Sequence, residues 1–344
     1  MKRGMIMSSI SNIGHFVLPN DALANLTAIY RRIGQNEAMY QVLKADIDRV
    51  VEQTVQRDGY FLARILDLKI TDTRMRLILT KDSNPRNKEE KTLSQIKEVL
   101  RKIQKHYPKM RHQSNDLLDF ANFIYGHYGE VKFAYAEADR RAVLQSQAKK
   151  SKRLIIDEIN EKVENYLEKR KYERLIVYSH YYIDFFNIAP FTSHNHATGL
   201  LLLYLLMLKG EIEAFRYISF FEILYGEYPA FIKELQNASV NWREGLAQTL
   251  GFVRFIFRFI LQGYEKADAV INEYKFDATL NKSDNIENTI YRLPKIFTKE
   301  EIRIQHPYVS ESTINRTLLK MREAGCIRPL GKGRSAKWIR IEND

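Results

Sequence analysis

The turn Thr192-Ser193-His194-Asn195-His196 places two imidazoles around one amide, shortly before an unbroken apolar run over residues 200–208. Those residue types suit three kinds of chemistry. An imidazole takes and gives protons near neutral pH. Two imidazoles two residues apart are a partial metal set, and no third ligand is evident beside them, so no metal is assigned. The opening turn of a helix also offers unpaired N–H groups to an anion. Pro190 and the polar cluster at 193–196 interrupt the preceding pattern, as turn residues do. The run that follows is apolar on all sides and predicts a buried central helix. It falls short of the roughly 20 apolar residues that span a bilayer. The residues alone favour an ordinary turn before a core helix over a ligand-holding loop.

The spelling of the loop separates these readings. Residues 189–200, A-P-F-T-S-H-N-H-A-T-G-L, resemble the signature of the Fic/Doc family, H-P-F-x-[D/E]-G-N-G-R-x-x-R. Pro190, Phe191 and Asn195 match it. Ala189 stands at the family's histidine, Ser193 at its magnesium-binding acid, and His194 and His196 at its two glycines. Ala197 and Leu200 stand at its two arginines. In active relatives the histidine takes a proton from a target hydroxyl that attacks the α-phosphate of ATP. The resemblance therefore implies a Fic-like helical domain in which no catalytic residue is intact. An alanine is no base, a serine is a poor magnesium ligand beside a carboxylate, and side chains at 194 and 196 narrow a loop that needs bare backbone near phosphate. Asn195, His196, Thr198 and Gly199 remain as a weak nucleotide-binding remnant. Many relatives also carry an inhibitory helix, [S/T]-x-x-x-E-[G/N]. Over residues 60–71 its positions fall on Leu62, Leu66 and Asp67, so the inhibitor is missing together with its target; a plain buried amphipathic helix accounts for the same residues.

A chain of 344 residues with 45% hydrophobic and 28% charged residues has room for two domains. The single cysteine, Cys326, excludes an intramolecular disulfide and a cysteine-based zinc cluster. With no sustained apolar segment after the basic start, it predicts a cytoplasmic protein without a signal peptide or membrane association. The formal charge of +12 serves solubility or, where it clusters, a polyanionic partner.

Helical spacing predicts an all-α body: helices from Asn20, over 37–56, 92–105, from Ser114, over 154–169 and 172–186, then 214–224, 229–235 and 242–261. The aromatics at 178–186 read as core. The basic run over 149–153 reads as a solvated face. Residues 278–285, rich in polar turn formers, predict a linker. The expected division is an N-terminal helical region at 1–70, a Fic-like core at 71–278 and a small domain at 286–344.

That last segment has its own signature. Pro294 marks the end of a first helix. Thr298 and Glu301 form a capping box for a second. Ser310 caps a third, which Gly325 stops. Residues 326–328 and 337–341 then read as a two-stranded hairpin with its tip at 331–335. Three helices and a basic hairpin resemble a winged helix-turn-helix, in which the third helix enters the major groove and the wing meets the backbone. Ser312, Thr313, Asn315, Arg316 and Lys320 on that helix, with Lys332, Arg334 and Lys337 on the wing, are the candidate DNA contacts. From 312 to 340 there are eight basic residues and one acid, the imbalance that phosphate neutralisation requires. The alternative use of such a domain is protein contact, including a homodimer. The sequence therefore leads to a degenerate Fic-like protein acting as a DNA-binding regulator or scaffold, with no cofactor and an unidentified protein partner. The alternative is a nucleotidyl (AMP) or phosphoryl transferase acting on protein hydroxyls through His194 or His196, with ATP and Mg as cofactors.

Overall fold

A computed structural model describes residues 8–136, 151–279, 282–306, 309–331 and 336–341. In chain order the helices are α1 (Asn20–Ile33), α2 (Asn36–Leu43), α3 (Ile47–Ile65), α4 (Asp72–Lys81), α5 (Lys88–His106), α6 (Ser114–Tyr125), α7 (Lys152–Glu168), α8 (Arg174–Ile188), α9 (Asn195–Lys209), α10 (Phe220–Ser239) and α11 (Leu250–Thr279). Then follow α12 (Lys282–Arg292), β1 (Ile296–Thr298), α13 (Lys299–Gln305), α14 (Glu311–Glu323), β2 (Ile327–Pro329) and β3 (Lys337–Arg340). They form two compact units, one within residues 1–37 and 47–267, the other within 38–46 and 268–344.

The first unit is built around α9, whose residues from Ala197 to Leu208 are all buried. No stripe of α9 is polar, so it needs neighbours on every side; α8 and α6 are among them, while α3 packs on α5 and α10. The chain start is tied to this core by a buried carboxylate. Asp184 of α8 accepts the Ser9 and Ile10 N–H groups at 2.7 and 2.9 Å and the Trp242 indole N–H at 2.6 Å. A second buried carboxylate, Asp58 of α3, accepts the Ser219 hydroxyl at 2.7 Å and the Phe221 N–H at 2.9 Å, holding the first turn of α10.

Several boundaries differ from the sequence expectation. The helix expected over 37–56 is broken by a 3-10 turn at Lys44–Asp46. Pro229 does not separate two helices but lies inside α10. The helix expected over 242–261 starts at Leu250 and continues to Thr279. The linker expected at 278–285 is mostly helix, because no glycine or proline interrupts the chain between Gly263 and Pro294. Residues 280 and 281 lie outside the described residues. Of the basic run, Lys149 and Lys150 lie outside them too. Lys152 is not a solvated cation but donates to the Ala189 carbonyl at 3.1 Å. The aromatics of α8 are core as expected, apart from Phe186, which is partly exposed.

In the second unit Ile286, Ile290, Phe297, Ile302, Ile314, Leu318, Ile327 and Trp338 share one apolar cluster. The capping box at Thr298 and Glu301 and the Ser310 cap are both present. The expected hairpin is joined by a third strand. β1 pairs antiparallel with β3, which pairs antiparallel with β2, giving the order β1-β3-β2. β1 has only three residues, too few to leave an alternation in the sequence.

Candidate functional site

The turn between α8 and α9 is held from three directions. α8 ends at Ala189, which takes a left-handed conformation (φ 43°). Such a conformation is strained for alanine and persists only where surrounding contacts fix it. The segment before the undescribed residues 137–150 supplies those contacts as a short antiparallel bridge. Ala134 N–H donates to Pro190 O at 2.8 Å, and Thr192 N–H to Lys132 O at 2.9 Å. The Lys152 ammonium takes the Ala189 carbonyl.

Within the turn, Asn195 is the clamp. Its amide oxygen accepts the Phe191 N–H at 2.8 Å, and its amide nitrogen donates to the Phe191 carbonyl at 2.7 Å. Thr198 is 1% exposed, and its hydroxyl donates to the His194 carbonyl at 3.0 Å. Gly199 is buried, and a Cβ there would meet the Phe185 ring at 3.2 Å. Three of the four residues read as a nucleotide-binding remnant are thus engaged with the turn or its supporting helices.

The two histidines engage different partners. His194 is left-handed (φ 58°), and its ring lies flat on Tyr125, with centroids 3.7 Å apart and planes 3° from parallel. His196 Nε2 is 2.7 Å from the Tyr228 hydroxyl. Desolvation, and for His194 the nearby His127, hold both below the ordinary histidine range, so both are neutral at pH 7. Among the described residues no three His, Cys, Asp or Glu side chains converge as metal ligands would. Tyr125, Tyr228 and Lys152 escaped the sequence reading. Tyr125 ends an apolar helix and Lys152 sits in a basic run, and neither context signals a site.

The turn does not fit magnesium and ATP. Ala197 is 4% exposed and Leu200 is fully buried, so the two positions aligned with the signature's arginines offer neither charge nor surface. Ser193 is exposed and brings a hydroxyl in place of a carboxylate. Over residues 62–67, Leu62 is fully buried on α3. Asp67 ends that helix in a left-handed conformation (φ 53°), the geometry that glycine or asparagine usually takes at a helix end.

In the second unit, Ser312 and Arg316 lie one turn apart on the exposed side of α14, opposite Ile314, Leu318 and Met321. Thr313 and Asn315 are partly covered. Lys320 pairs with Glu287 at 3.0 Å, and the Arg340 guanidinium donates to the Tyr291 carbonyl. Arg316, Arg322, Arg328 and Lys337 are exposed. Lys332 and Arg334 lie outside the described residues.

No family model and no curated protein matches this chain in sequence. Solved structures do match in fold. A Fic family protein from Desulfovibrio desulfuricans G20 superposes with a TM-score of 0.57 at 12% identity, covering 96% of this chain and 98% of that one. A Fic domain-containing signaling protein from Bacteroides thetaiotaomicron VPI-5482 superposes with a TM-score of 0.52 at 14% identity, covering 73% of this chain and 98% of that one. The chain has a Fic-like helical fold, followed by a small antiparallel sheet near the C-terminus. No described helix is long and apolar enough to cross a membrane.

Proposed function

We propose that this chain is a Fic-fold protein without AMP transferase activity that acts as a DNA-binding regulator or scaffold through its second unit. The observation that carries the reading is the order of that unit: helix, strand, helix, helix, strand, strand, closed by a β1-β3-β2 sheet. This is the order of a winged helix, with α14 as the helix for the major groove and the β2–β3 hairpin as the wing. The exposed Ser312 and Arg316 supply a base-edge and phosphate-reading stripe, and Arg328 and Lys337 add charge on the strands. At the Fic-like turn, the loss of transfer chemistry is supported by Ala189 in place of a base and by the buried Leu200.

The test is duplex DNA binding by the full chain across a salt series. Binding that falls steeply with salt, and weakens when Arg316 and Lys337 are both replaced by alanine, supports the reading. Retardation that is equal for the two proteins at every salt concentration defeats it. An AMP-transfer assay with ATP and magnesium covers the other half: activity that disappears on substituting the 189–200 turn would overturn the proposed inactivity.

A further inference from the structure

The α8–α9 pair has a second end. The signature turn joins the C-terminus of α8 to the N-terminus of α9, while Arg174 opens α8 and Lys209 closes α9 at the opposite end. A 15-residue helix rising 1.5 Å per residue puts those ends about 22 Å apart. At the far end lies a cavity of about 620 Å³ whose lining includes Arg170, Arg174 and Lys209, the carboxylate of Glu173, and three tyrosines, Tyr30, Tyr172 and Tyr178.

Two observations mark it as a built site. Tyr178 is 4% exposed, yet among the described residues its hydroxyl has no hydrogen-bond partner, and it lines this cavity. The ring is buried while the hydroxyl opens on the cavity, so it is free to donate to a ligand there. Burial pushes its pKa up to about 12, which keeps it a donor. The second observation concerns Arg170. It stands in a left-handed conformation (φ 49°) in the turn between α7 and α8 and has no ion pair among the described residues.

The other charges are accounted for. Glu173 spends its carboxylate on the Leu175 and Ile176 N–H groups and the Tyr30 hydroxyl. Arg174 gives one nitrogen to Glu211 at 2.7 Å, and Lys209 gives one proton to the Met110 carbonyl at 2.8 Å. Both keep further donors. Donors therefore come from the α7–α8 turn, the start and flank of α8 and the close of α9. A planar carboxylate is satisfied by one guanidinium fork, whereas a phosphate presents three oxygens to donors from several directions.

We propose that this cavity binds a small phosphate-bearing molecule, its phosphate held by Arg170, Arg174, Lys209 and the Tyr178 hydroxyl and its organic part against Tyr30 and Tyr172. The site is separate from the Fic-like turn and independent of the DNA-binding reading.

Calorimetric titration of the full chain at low salt tests it with three probes: ribose 5-phosphate, inorganic phosphate and malonate. Ribose 5-phosphate binds saturably at one site, inorganic phosphate displaces it, and malonate binds more weakly than either. Arg170→Asn, at an exposed position whose backbone conformation asparagine tolerates, weakens binding about tenfold or more, as loss of a charge-assisted hydrogen bond does. Tyr178→Phe removes one neutral hydrogen bond and weakens binding by about threefold to tenfold. Thermal unfolding of both variants near the wild-type temperature separates lost binding from lost folding. The proposal is overturned by absence of saturable phosphate binding to the wild-type chain, by malonate binding as tightly as ribose 5-phosphate, or by folded variants that bind like the wild type.

Discussion

Asn195 holds Phe191 by both ends of its peptide group: amide oxygen to N–H at 2.8 Å, amide nitrogen to carbonyl at 2.7 Å. A single side chain thus does for the turn what a paired strand would do. The asparagine that the Fic signature shares with this chain has a complete structural occupation without any ligand.

Replacing Asn195 by alanine leaves the half-buried peptide groups of Phe191 unpaired. The expected loss of stability is about 1–3 kcal/mol, read from the urea midpoint at unchanged slope. Asn195→Asp keeps the acceptor and loses the donor, and should fall between alanine and the wild type. An alanine variant as stable as the wild type would show that the clamp is dispensable.

His194 combines a stacked ring with a left-handed backbone, and two substitutions separate these contributions. Alanine loses the stack on Tyr125, worth about 0.5–1.5 kcal/mol, and keeps the strain. Glycine loses the same stack but adopts φ 58° freely. The glycine variant should therefore be the more stable of the two in thermal unfolding. The opposite order would show that the turn does not impose this conformation.

The buried carboxylates make stability depend on pH. Burial raises Asp58 to about 7 and Asp184 to about 6, the latter against the opposing hydrogen bonds from Trp242, Ile10 and Ser9. In the unfolded chain both lie near 3.9. From about pH 4 to 7 the folded state thus holds more protons, and this contribution to stability declines as pH rises. Buried His112 and His180 work the other way. Burial lowers both to about 4, so below the unfolded value of about 6.5 they weaken the fold as pH falls. Asp58→Asn isolates one group: its oxygen still accepts from Ser219 and Phe221, but it does not titrate. Its stability relative to the wild type should improve from pH 5 to about pH 7 and level off above it. A difference that stays flat across that range would mean Asp58 is ionised throughout.

On DNA, Arg316→Ala should weaken binding and, where its guanidinium meets a phosphate, lower the salt slope by about one unit. If Arg316 instead reads a base edge, the weakening should depend on the duplex sequence and leave the slope unchanged. Lys320→Ala should matter less, because its ammonium already serves Glu287. Fluorescence anisotropy with two unrelated duplexes distinguishes these outcomes.

The fold was legible where periodicity and capping agree. The apolar run of α9, the Thr298–Glu301 box and the Ser310 cap all stand where their residues indicate. Boundaries failed where a helix runs on past a turn signal: Pro229 is carried inside α10, and α11 continues through polar residues that no glycine or proline interrupts. The turn itself was legible in Pro190 and the polar cluster at 193–196. Its supports were not. Tyr125 reaches His194 from 69 positions earlier and Tyr228 reaches His196 from 32 later, separations across which one sequence carries no pairing signal.

Leu200 ties the turn to the core. Its side chain is fully buried, at the position where the signature has an arginine. An arginine introduced there would arrive as an uncompensated buried charge, at a cost of several kcal/mol, before it could meet any phosphate. A phosphate-neutralising charge at position 200 is therefore opposed by the packing of the core itself.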